Sequence, residues 1–355
     1  MFRSVALAVV GAVTLAACGV GSSAPEAAYV DPVRDAPVVS VASAWVEGVQ
    51  SPWSILPIGD AALVSERDSG RIVRIEPDGS VTAVATVDGV VHEGESGLLG
   101  LAMSPQSDAV YAYYTSVTDN RVVRMAWDGT TLGPPIDVVT GITKNTFHDG
   151  GGLVFGPDGM LYVATGDAGA PELSQELGSL NGKILRVRPD GGAPDDNPIP
   201  DSPVYSLGHR NVQGLAFDSR GQLWATEFGT SEADELNQIV AGGNYGWPMY
   251  EGVAGAEGFI DPVAQWSPTS LASPSGLGVL DDYAYVASLR GEVLWQVPLV
   301  GDAAAEPLAL DLGDLGRLRA IAVDGLGRLL LATSNTDGRG DVRDGDDRIL
   351  ILEVA

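Results

Sequence analysis

The chain has 355 residues, of which 45% are hydrophobic, so it is long enough to bury a large core. Its 47 acidic residues outnumber its 20 basic residues, and the formal net charge is -27. A nucleic-acid partner is therefore excluded, because phosphate binding requires clustered Lys and Arg. The acidity favours solubility, and carboxylates are also among the oxygen ligands that calcium prefers.

The N-terminus predicts export from the cytoplasm. Arg3 precedes an apolar run from Val5 to Ala17 that is short for a bilayer span, which is typical of a secretory signal peptide over residues 1–17. The stretch LAACG that ends at Gly19 resembles a bacterial lipobox, and this resemblance implies cleavage before Cys18 and lipidation of its thiol. The alternative is an uncleaved N-terminal anchor. Cys18 is the only cysteine, so we expect no disulfide and no cysteine-based metal site.

Residues 18–40 follow as a predicted flexible tether, since they are rich in Ala, Ser, Pro and Gly. Residues 41–355 are the predicted folded domain. No later segment is apolar over a length that would span a bilayer. We therefore expect an extracytoplasmic protein that touches the outer face of the cell membrane only through the lipid at Cys18.

The folded domain repeats one unit six times. Each unit has a short apolar run, a turn rich in Gly and Asp, and an alternating strand, with a further strand usually following. The units begin at Pro52, Gly97, Gly151, Gln213, Ser275 and Arg319. This pattern predicts an all-β fold, a six-bladed β-propeller of four-stranded antiparallel blades. A seven-bladed propeller or a β-sandwich is the alternative.

The third unit contains the first candidate site, NTFHDGGGLVFGPDGMLYVATGDAG, over residues 145–169. His148 precedes three glycines at the start of one strand, and Asp167 ends the neighbouring antiparallel strand, so both are expected at one edge. An acid beside a histidine supports the protonated ring that forms when the histidine acts as a base. The alternative is a structural hydrogen bond. Asp149 adds a negative charge that is expected to raise the pKa of His148.

The fourth unit begins LGHRNVQGLAF, where Arg210, Asn211 and Gln213 suit a ligand that carries carbonyls or carboxylates. A turn stabilised by polar side chains is the alternative. The next loop has acids that predict a calcium site without the spacing of an EF-hand: Glu232, Asp234 and Glu235. Long segments flank the third and fourth units, over residues 167–183, 191–205 and 242–265, so these blades are expected to build the site.

Several motifs in one order carry a family resemblance. HDGGGLVFGPDGMLYVATGD, GKILRV, LGHRNVQGLAF and GGNYGWP follow one another. Their combination resembles the soluble quinoprotein glucose/sorbosone dehydrogenase family, most of all the bacterial aldose sugar dehydrogenases that use pyrroloquinoline quinone (PQQ). The resemblance runs from about Pro52 to the C-terminus. It implies a propeller that binds PQQ and calcium and oxidises the anomeric carbon of an aldose to a lactone, with hydride passing to PQQ and electrons to an external acceptor.

The resemblance also implies roles for single residues. His148 would take the proton from the C1 hydroxyl, Asp167 would orient His148, and Arg210 would stabilise the negative charge that develops on the cofactor. Further cofactor contacts would come from Glu95, Asn211, Gln213, Arg290, Arg317 and Arg319. Calcium would be held by the backbone carbonyls of Gly229 and Thr230, and a second calcium by Asp234 or Glu235 with the Tyr245 carbonyl.

Two functions of other classes stay open. One is a calcium-dependent lactone hydrolase on a similar propeller, against which the arginines argue because a neutral lactone does not need four cations. The other is a non-catalytic extracellular propeller that binds a cell-surface partner or glycan without a cofactor. In that case His148, Asp167 and Arg210 would be scattered rather than convergent.

Overall fold

The computed structural model describes residues 36–355, so the predicted signal peptide, Cys18 and most of the predicted tether lie outside the described residues. The first strand begins at Val39 rather than at residue 41, where the folded domain was predicted to start. Two short 3-10 helices, Pro171–Ser174 and Thr269–Leu271, interrupt an otherwise all-β chain. In the part of the chain that is described, no helix has the length and apolarity needed to cross a membrane.

Six antiparallel sheets confirm the predicted six-bladed propeller. The strands of the first three blades are β2 (Pro52–Ile58), β3 (Ala61–Glu66), β4 (Arg71–Ile75) and β5 (Val81–Thr86) in blade 1, β6 (Leu98–Met103), β7 (Ala109–Thr115), β8 (Asn120–Ala126) and β9 (Ile136–Ile142) in blade 2, and β10 (Leu153–Phe155), β11 (Leu161–Ala164), β12 (Lys183–Val187) and β13 (Val204–Leu207) in blade 3.

The last three blades continue in chain order. Blade 4 has β14 (Val212–Phe217), β15 (Leu223–Glu227), β16 (Asp234–Ile239) and β17 (Ala264–Trp266), and blade 5 has β18 (Pro274–Leu280), β19 (Tyr283–Ser288), β20 (Leu294–Val300), β21 (Ala303–Ala304) and β22 (Leu308–Leu310). Blade 6 combines β23 (Leu318–Val323), β24 (Leu329–Thr333) and β25 (Arg348–Val354) with the N-terminal β1 (Val39–Glu47).

The N-terminal strand closes the ring, a feature that the repeat pattern did not reveal. β1 pairs with β25 from Val39 opposite Val354 to Glu47 opposite Arg348. The outer strand of blade 6 thus comes from the opposite end of the chain to its other three strands. This pairing covers an edge of blade 6 that would otherwise present unpaired backbone groups.

The core lies between the blades rather than inside one sheet. Six clusters of buried side chains join neighbouring blades, for example Leu63 with Val110 between blades 1 and 2, and Tyr162 with Leu223 between blades 3 and 4. A blade buries both of its faces only by stacking on its neighbours, so the ring is stabilised as a whole. The first strands of the blades line a central channel of about 430 Å³.

Strand direction assigns the loops to two faces. The loops that precede the first strand of each blade, and those that join its second and third strands, lie on one face, here called the upper face. His148 precedes β10, Asp167 follows β11 and Arg210 precedes β14, so all three candidate catalytic residues belong to this face. The long segment over residues 240–263 also reaches it, because Asn244 pairs beside Leu207 at the upper end of β13.

Candidate active site

His148 and Asp167 form a close pair. His148 Nδ1 lies 2.7 Å from Asp167 Oδ1, which also accepts a hydrogen bond from Gly169 N at 2.7 Å. The indole Nε1–H of Trp247 donates to Asp167 Oδ2 at 2.9 Å. Burial alone would raise the pKa of Asp167, but these donors outweigh burial and lower its pKa. An ionised Asp167 holds the proton of neutral His148 on Nδ1 and leaves Nε2 free to accept one.

The backbone of His148 adopts the left-handed region, with φ of +58°. Glu95 Oε2 accepts a hydrogen bond from His148 N at 3.0 Å, and His148 O accepts one from Ala168 N at 3.1 Å. Few residues other than glycine adopt this conformation, so both contacts help to hold the imidazole in place. Glu95, predicted as a cofactor contact, therefore also supports the base, and its Oε1 pairs with Arg339 at 3.1 Å.

The Asp149 carboxylate is held by residues other than His148. Its carboxylate accepts hydrogen bonds from Ser96 Oγ and Asn120 Nδ2, both at 2.8 Å, and from Asn145 N at 3.1 Å. Burial raises the pKa of Asp149 above its ordinary value. None of these contacts involves His148, so the predicted effect of Asp149 on His148 stays a prediction. Asp149 fixes the loop that carries His148.

Arg210 lies over the ring face of Trp247, whereas Asp167 lies at the indole N–H of the same side chain. Its Cζ is 5.5 Å from the centre of the indole ring, its Nη1 donates to Phe228 O at 2.9 Å, and its backbone N donates to a Glu227 carboxylate oxygen. Burial lowers the pKa of Arg210. Its buried Nε has no hydrogen-bond partner among the described residues. One donor of this guanidinium is thus available to a ligand.

Asn211 and Gln213 face the same region. Asn211 Oδ1 accepts a hydrogen bond from Gly150 N at 3.0 Å, while its buried Nδ2 has no partner in residues 36–355. Gln213 Oε1 accepts a hydrogen bond from Arg319 Nη1 at 3.1 Å. The two predicted cofactor-binding amides therefore connect the third and fourth blades to an arginine of the sixth blade. A buried amide without a partner is costly, and a ligand carbonyl or carboxylate would satisfy it.

A second group of predicted residues is cationic. Arg319 is buried over Trp53, and Arg317 pairs with Asp337 at 2.9 Å. Burial lowers the pKa of Arg319 to about 9, and the positive charges of Arg67 and Arg317 add to this effect. Arg67 was not predicted as a site residue, because it lies in a loop of the first blade far from every motif in sequence. These neighbouring cations suit an anionic ligand.

Arg290 is the predicted residue that the structure does not connect to the others. It is exposed in the loop between β19 and β20, and its guanidinium makes no hydrogen bond or ion pair with another described residue. Its backbone N donates to Ala272 O. The loop belongs to the upper face, so the predicted contact with a cofactor stays a prediction.

The loop between β15 and β16, residues 228–233, wraps around an unpredicted acid. Of the three acids predicted in this loop only Glu232 lies in it, because β16 already begins at Asp234. Glu251 Oε1 accepts backbone N–H groups from each of the loop residues from 230 to 233, at 2.8 to 3.2 Å, and its Oε2 bonds the Thr230 hydroxyl. Because the amide N–H groups of this loop point at Glu251, the backbone carbonyls of the loop point away from Glu251 and are left for other partners. Glu251 is 20 residues further along the chain than Ser231, so no local pattern indicated it.

Asp234 and Glu235, offered as alternative calcium ligands, differ in environment. The Asp234 carboxylate accepts hydrogen bonds from Gly229 N at 2.9 Å and Ser273 N at 2.7 Å, and burial raises its pKa to about 6. Glu235 lies opposite Glu227 in the β15–β16 pairing. Burial raises the pKa of Glu235 to about 8, and the Glu227 carboxylate adds to the rise. Two buried carboxylates side by side favour a cation between them, so this geometry favours Glu235 over Asp234.

Two small cavities lie between these groups. One is lined by Trp53, Glu95, Asp149, Gly150, Gln213, Phe228, Leu289, Arg319 and Arg339. The other is lined by Gly208, Arg210, Glu227, Phe228, Gly229, Glu235, Tyr245, Trp247, Tyr250 and Glu251. Trp53 and Gln213 also border the central channel, so they lie between the channel and the site. Within residues 36–355, no group of three or more His, Cys, Asp or Glu side chains is arranged as a metal site.

Comparison with known proteins gives consistent matches. A family model described as Glucose / Sorbosone dehydrogenase matches residues 49–349. Quinoprotein glucose dehydrogenase B of Acinetobacter calcoaceticus is 35% identical over 236 residues, which are 55% of this chain and 49% of that protein, so the chain matches about half the length of this relative. Aldose sugar dehydrogenase YliI of Escherichia coli is 28% identical over 332 residues, 81% of this chain and 88% of that protein.

A solved structure extends the match to the whole propeller. The PQQ-bound form of the aldose sugar dehydrogenase from Streptomyces coelicolor superposes with a TM-score of 0.86 at 52% sequence identity, and the match covers 90% of this chain and 98% of that one. A putative oxidoreductase (glucose dehydrogenase) from a Thermus species superposes with a TM-score of 0.81 at 40% identity, over 89% of this chain and all of the other.

Proposed function

The chain belongs to the glucose/sorbosone dehydrogenase family, and from this premise we propose that it is a PQQ- and calcium-dependent dehydrogenase of aldoses. It oxidises the anomeric carbon to the lactone and passes the electrons to an external acceptor. The observation that carries this proposal is the convergence at the upper face of the His148–Asp167 pair with the unpartnered Nε of Arg210.

The assignment of His148 as the base follows from where the proton lies in the His148–Asp167 pair. Asp167 accepts a hydrogen bond from Nδ1–H of His148, so the remaining nitrogen, Nε2, accepts the proton of the C1 hydroxyl. The buried Asp167 carboxylate then stabilises the imidazolium that results. The side chain of His148 is 16% exposed, which leaves an edge of the ring open to a substrate at the mouth.

The residues present fit PQQ, which carries three carboxylates. When bound, PQQ supplies the two-electron acceptor for the hydride of C1. The buried Arg319 and Arg317 provide positive charge for its carboxylates, and the unpartnered Nδ2 of Asn211 provides a donor. Arg210, whose Nε has no partner among the described residues, would stabilise the negative charge that develops on the cofactor.

Calcium is supported by a different set of contacts. Glu227 and Glu235 lie opposite each other as two buried carboxyl groups, and the carbonyls of Gly229 and Thr230 are turned away from Glu251. Hard cations prefer such oxygen ligands, and a bound calcium would offset the repulsion between the two carboxylates. Tyr245 borders the same cavity, so its carbonyl completes the proposed second site with Glu235.

The proposal is tested by reconstitution. The purified chain is freed of divalent ions with a chelator, and then PQQ, calcium, an aldose and an artificial dye acceptor are added together or with one component left out. Dye reduction is expected only in the complete mixture, with the lactone as product. Reduction that needs neither PQQ nor calcium would contradict the cofactor assignment. Hydrolysis of a lactone with calcium alone would instead favour the hydrolase alternative.

We also propose that the enzyme works outside the cytoplasm, attached to the membrane by a lipid on Cys18. The support is the signal-peptide pattern and the LAACG sequence, both in residues 1–19. Mass spectrometry of the chain expressed in a bacterium with lipoprotein processing should show a diacylglycerol-modified N-terminal Cys18. Cys18→Ala should release the protein from the membrane fraction, and a variant that stays membrane-bound would contradict the anchor.

A further inference from the structure

Trp247, in the motif GGNYGWP, contacts both the His148–Asp167 pair and Arg210, and its side chain has not yet been given a role in the proposed reaction. Its indole N–H donates to Asp167 Oδ2 at 2.9 Å, the oxygen that His148 does not use. Gly169 N binds the other oxygen at 2.7 Å together with His148. The carboxylate is therefore held at both oxygens, and it cannot rotate without breaking one of these bonds.

The face of the same indole ring supports Arg210. The guanidinium carbon lies 5.5 Å from the centre of the ring, within the range of a cation–π contact. Burial removes Arg210 from water and so disfavours its charge. The ring face of Trp247 and the Phe228 carbonyl, 2.9 Å from Nη1, compensate in part for this lost hydration. The contact restricts the guanidinium to the side of Trp247 that faces the cavity lined by Gly229 and Glu235.

Trp247 is itself fixed by its backbone. Its N–H donates to Gly208 O at 2.9 Å, and its carbonyl accepts a hydrogen bond from Gln175 Nε2 at 2.7 Å. Gln175 also exchanges hydrogen bonds with Asn244. The loop between β11 and β12, which carries Asp167, is thus tied to the long loop that carries Trp247.

We propose that Trp247 is a positioning residue of the dehydrogenase, which aligns the Asp167 carboxylate on His148 through its indole N–H and holds the Arg210 guanidinium on its ring face. The Arg210 part rests on the proposed function. The Asp167 part does not, because it concerns the protonation of His148 with or without a cofactor.

Trp247→Phe separates the two contacts, since it keeps a ring and removes the donor. The charged groups that face His148 are Asp167 and Glu95, and these interact in turn with Arg210 and Arg339. Without the indole N–H, Asp167 Oδ2 loses a hydrogen-bond donor that stabilises its negative charge. The carboxylate then attracts the imidazolium of His148 more strongly, so the pKa of His148 is expected to rise. NMR titration of the histidines of the full chain, with and without PQQ and calcium, measures this pKa.

The expected result is a titration of His148 at higher pH in Trp247→Phe than in the wild type. The acidic limb of kcat/KM moves in the same direction, and turnover falls roughly tenfold. PQQ affinity should stay within about twofold, since a ring still faces Arg210. A His148 titration that is unchanged or moves to lower pH overturns the proposal. Trp127→Phe, in a turn on the opposite face, is the matched control and should behave as the wild type.

Trp247→Leu removes the ring as well. We expect the same change in the His148 titration and, in addition, a loss of PQQ affinity of about tenfold, measured by absorbance or calorimetry. Wild-type PQQ affinity in this variant would overturn the Arg210 part. If the wild type itself neither binds PQQ nor reduces the dye, the proposed function fails, and the histidine titration still decides whether Trp247 positions Asp167.

Discussion

The upper face has two halves with opposite buried charges, carboxylates in one and arginines in the other. In the half built by blades 3 and 4, buried carboxylates such as Asp167 and Asp234 are met by donors from neighbouring loops. In the half built by blades 6 and 1, Arg319 is buried near two other arginines and has no carboxylate partner among the described residues. In the first half the chain itself supplies donors to Asp167 and Asp234, whereas in the second an anionic ligand would supply the missing partner. We therefore expect variants of the first half to change the reaction, the stability or calcium binding, and variants of the arginines in the second half to change PQQ affinity.

The largest effect is expected from His148→Gln. The variant removes the proton acceptor while glutamine keeps a polar side chain of moderate size, so kcat should fall by about 10² to 10⁴. PQQ affinity should change little, since the cationic half is untouched. Steady-state dye reduction and PQQ titration measure the two quantities separately.

His92→Gln serves as the control for this substitution, because His92 is exposed and pairs only with Ser96 O and Asp68. Turnover of the His148 variant at the level of this control would remove the base from the mechanism. A comparable loss in both variants would point to a general effect of losing a histidine.

Arg319→Met should act on affinity rather than on chemistry. Losing one charge-assisted contact with an anionic cofactor weakens PQQ binding by about 10- to 100-fold, while kcat at saturating PQQ stays near the wild-type value. Without ligand, the thermal stability should be equal or higher, because a buried cation without an anionic partner is replaced by an apolar side chain.

Arg328→Met is the matched control, since Arg328 forms an ion pair with Asp324 on the opposite face. PQQ titration followed by absorbance decides between the variants. If Arg319→Met lost turnover but kept PQQ affinity, the division of the face into an organising half and a ligand-dependent half would be wrong.

Glu251→Gln tests whether the acid inside the calcium loop shapes the site. Replacing a charged acceptor of four backbone amides by a neutral one loosens the loop, so calcium affinity should fall about tenfold. Glu257→Gln, an exposed acid of the long segment that also carries Glu251, should leave calcium affinity near the wild-type value. Calorimetric titration of the chelated chain with calcium measures both. Equal affinities in the two variants would assign Glu251 to the fold alone.

The sequence predicted what is local and missed what is distant. The repeat of strand and turn defined six blades, and the geometry of one hairpin placed His148 beside Asp167, because the two residues flank antiparallel neighbours. β1 was missed because its pairing with β25 joins opposite ends of the chain. No periodicity within one unit can show such a contact.

The same distinction applies to the site. Arg210 and Asn211 stand in a recognisable motif at the start of a blade, and the structure brings both to the cavity region. Trp247 and Glu251 reach it from a long segment without a repeat pattern, and Arg67 reaches it from another blade. Their roles depend on which loops meet across the ring, and the order of the residues alone does not contain that information.

The smallest predicted effect contrasts Arg319 with a buried cation of the other half. Lys183 Nζ donates to three carbonyls, Leu173 O, Ser174 O and Asn181 O, at 2.7 to 3.0 Å, so the chain itself satisfies it below the loop that carries Asp167. Burial lowers its pKa to about 8. Between about pH 8 and pH 10, the unfolded chain therefore holds a proton that the folded chain has released, and stability rises with pH by at most about 1.4 kcal/mol per unit.

Urea unfolding of the wild type and of Lys183→Met at several pH values isolates this contribution. The advantage of the wild type over the variant should grow as the pH rises from about 8 towards 10, because methionine has no proton to release. Lys144→Met, a substitution of the other lysine, should show no such trend. An advantage that shrinks over this range would mean that the three carbonyls hold the proton on Lys183 more strongly than burial removes it. Lys183 would then stay protonated over this range, as a buried cation whose counter-charge is built into the fold.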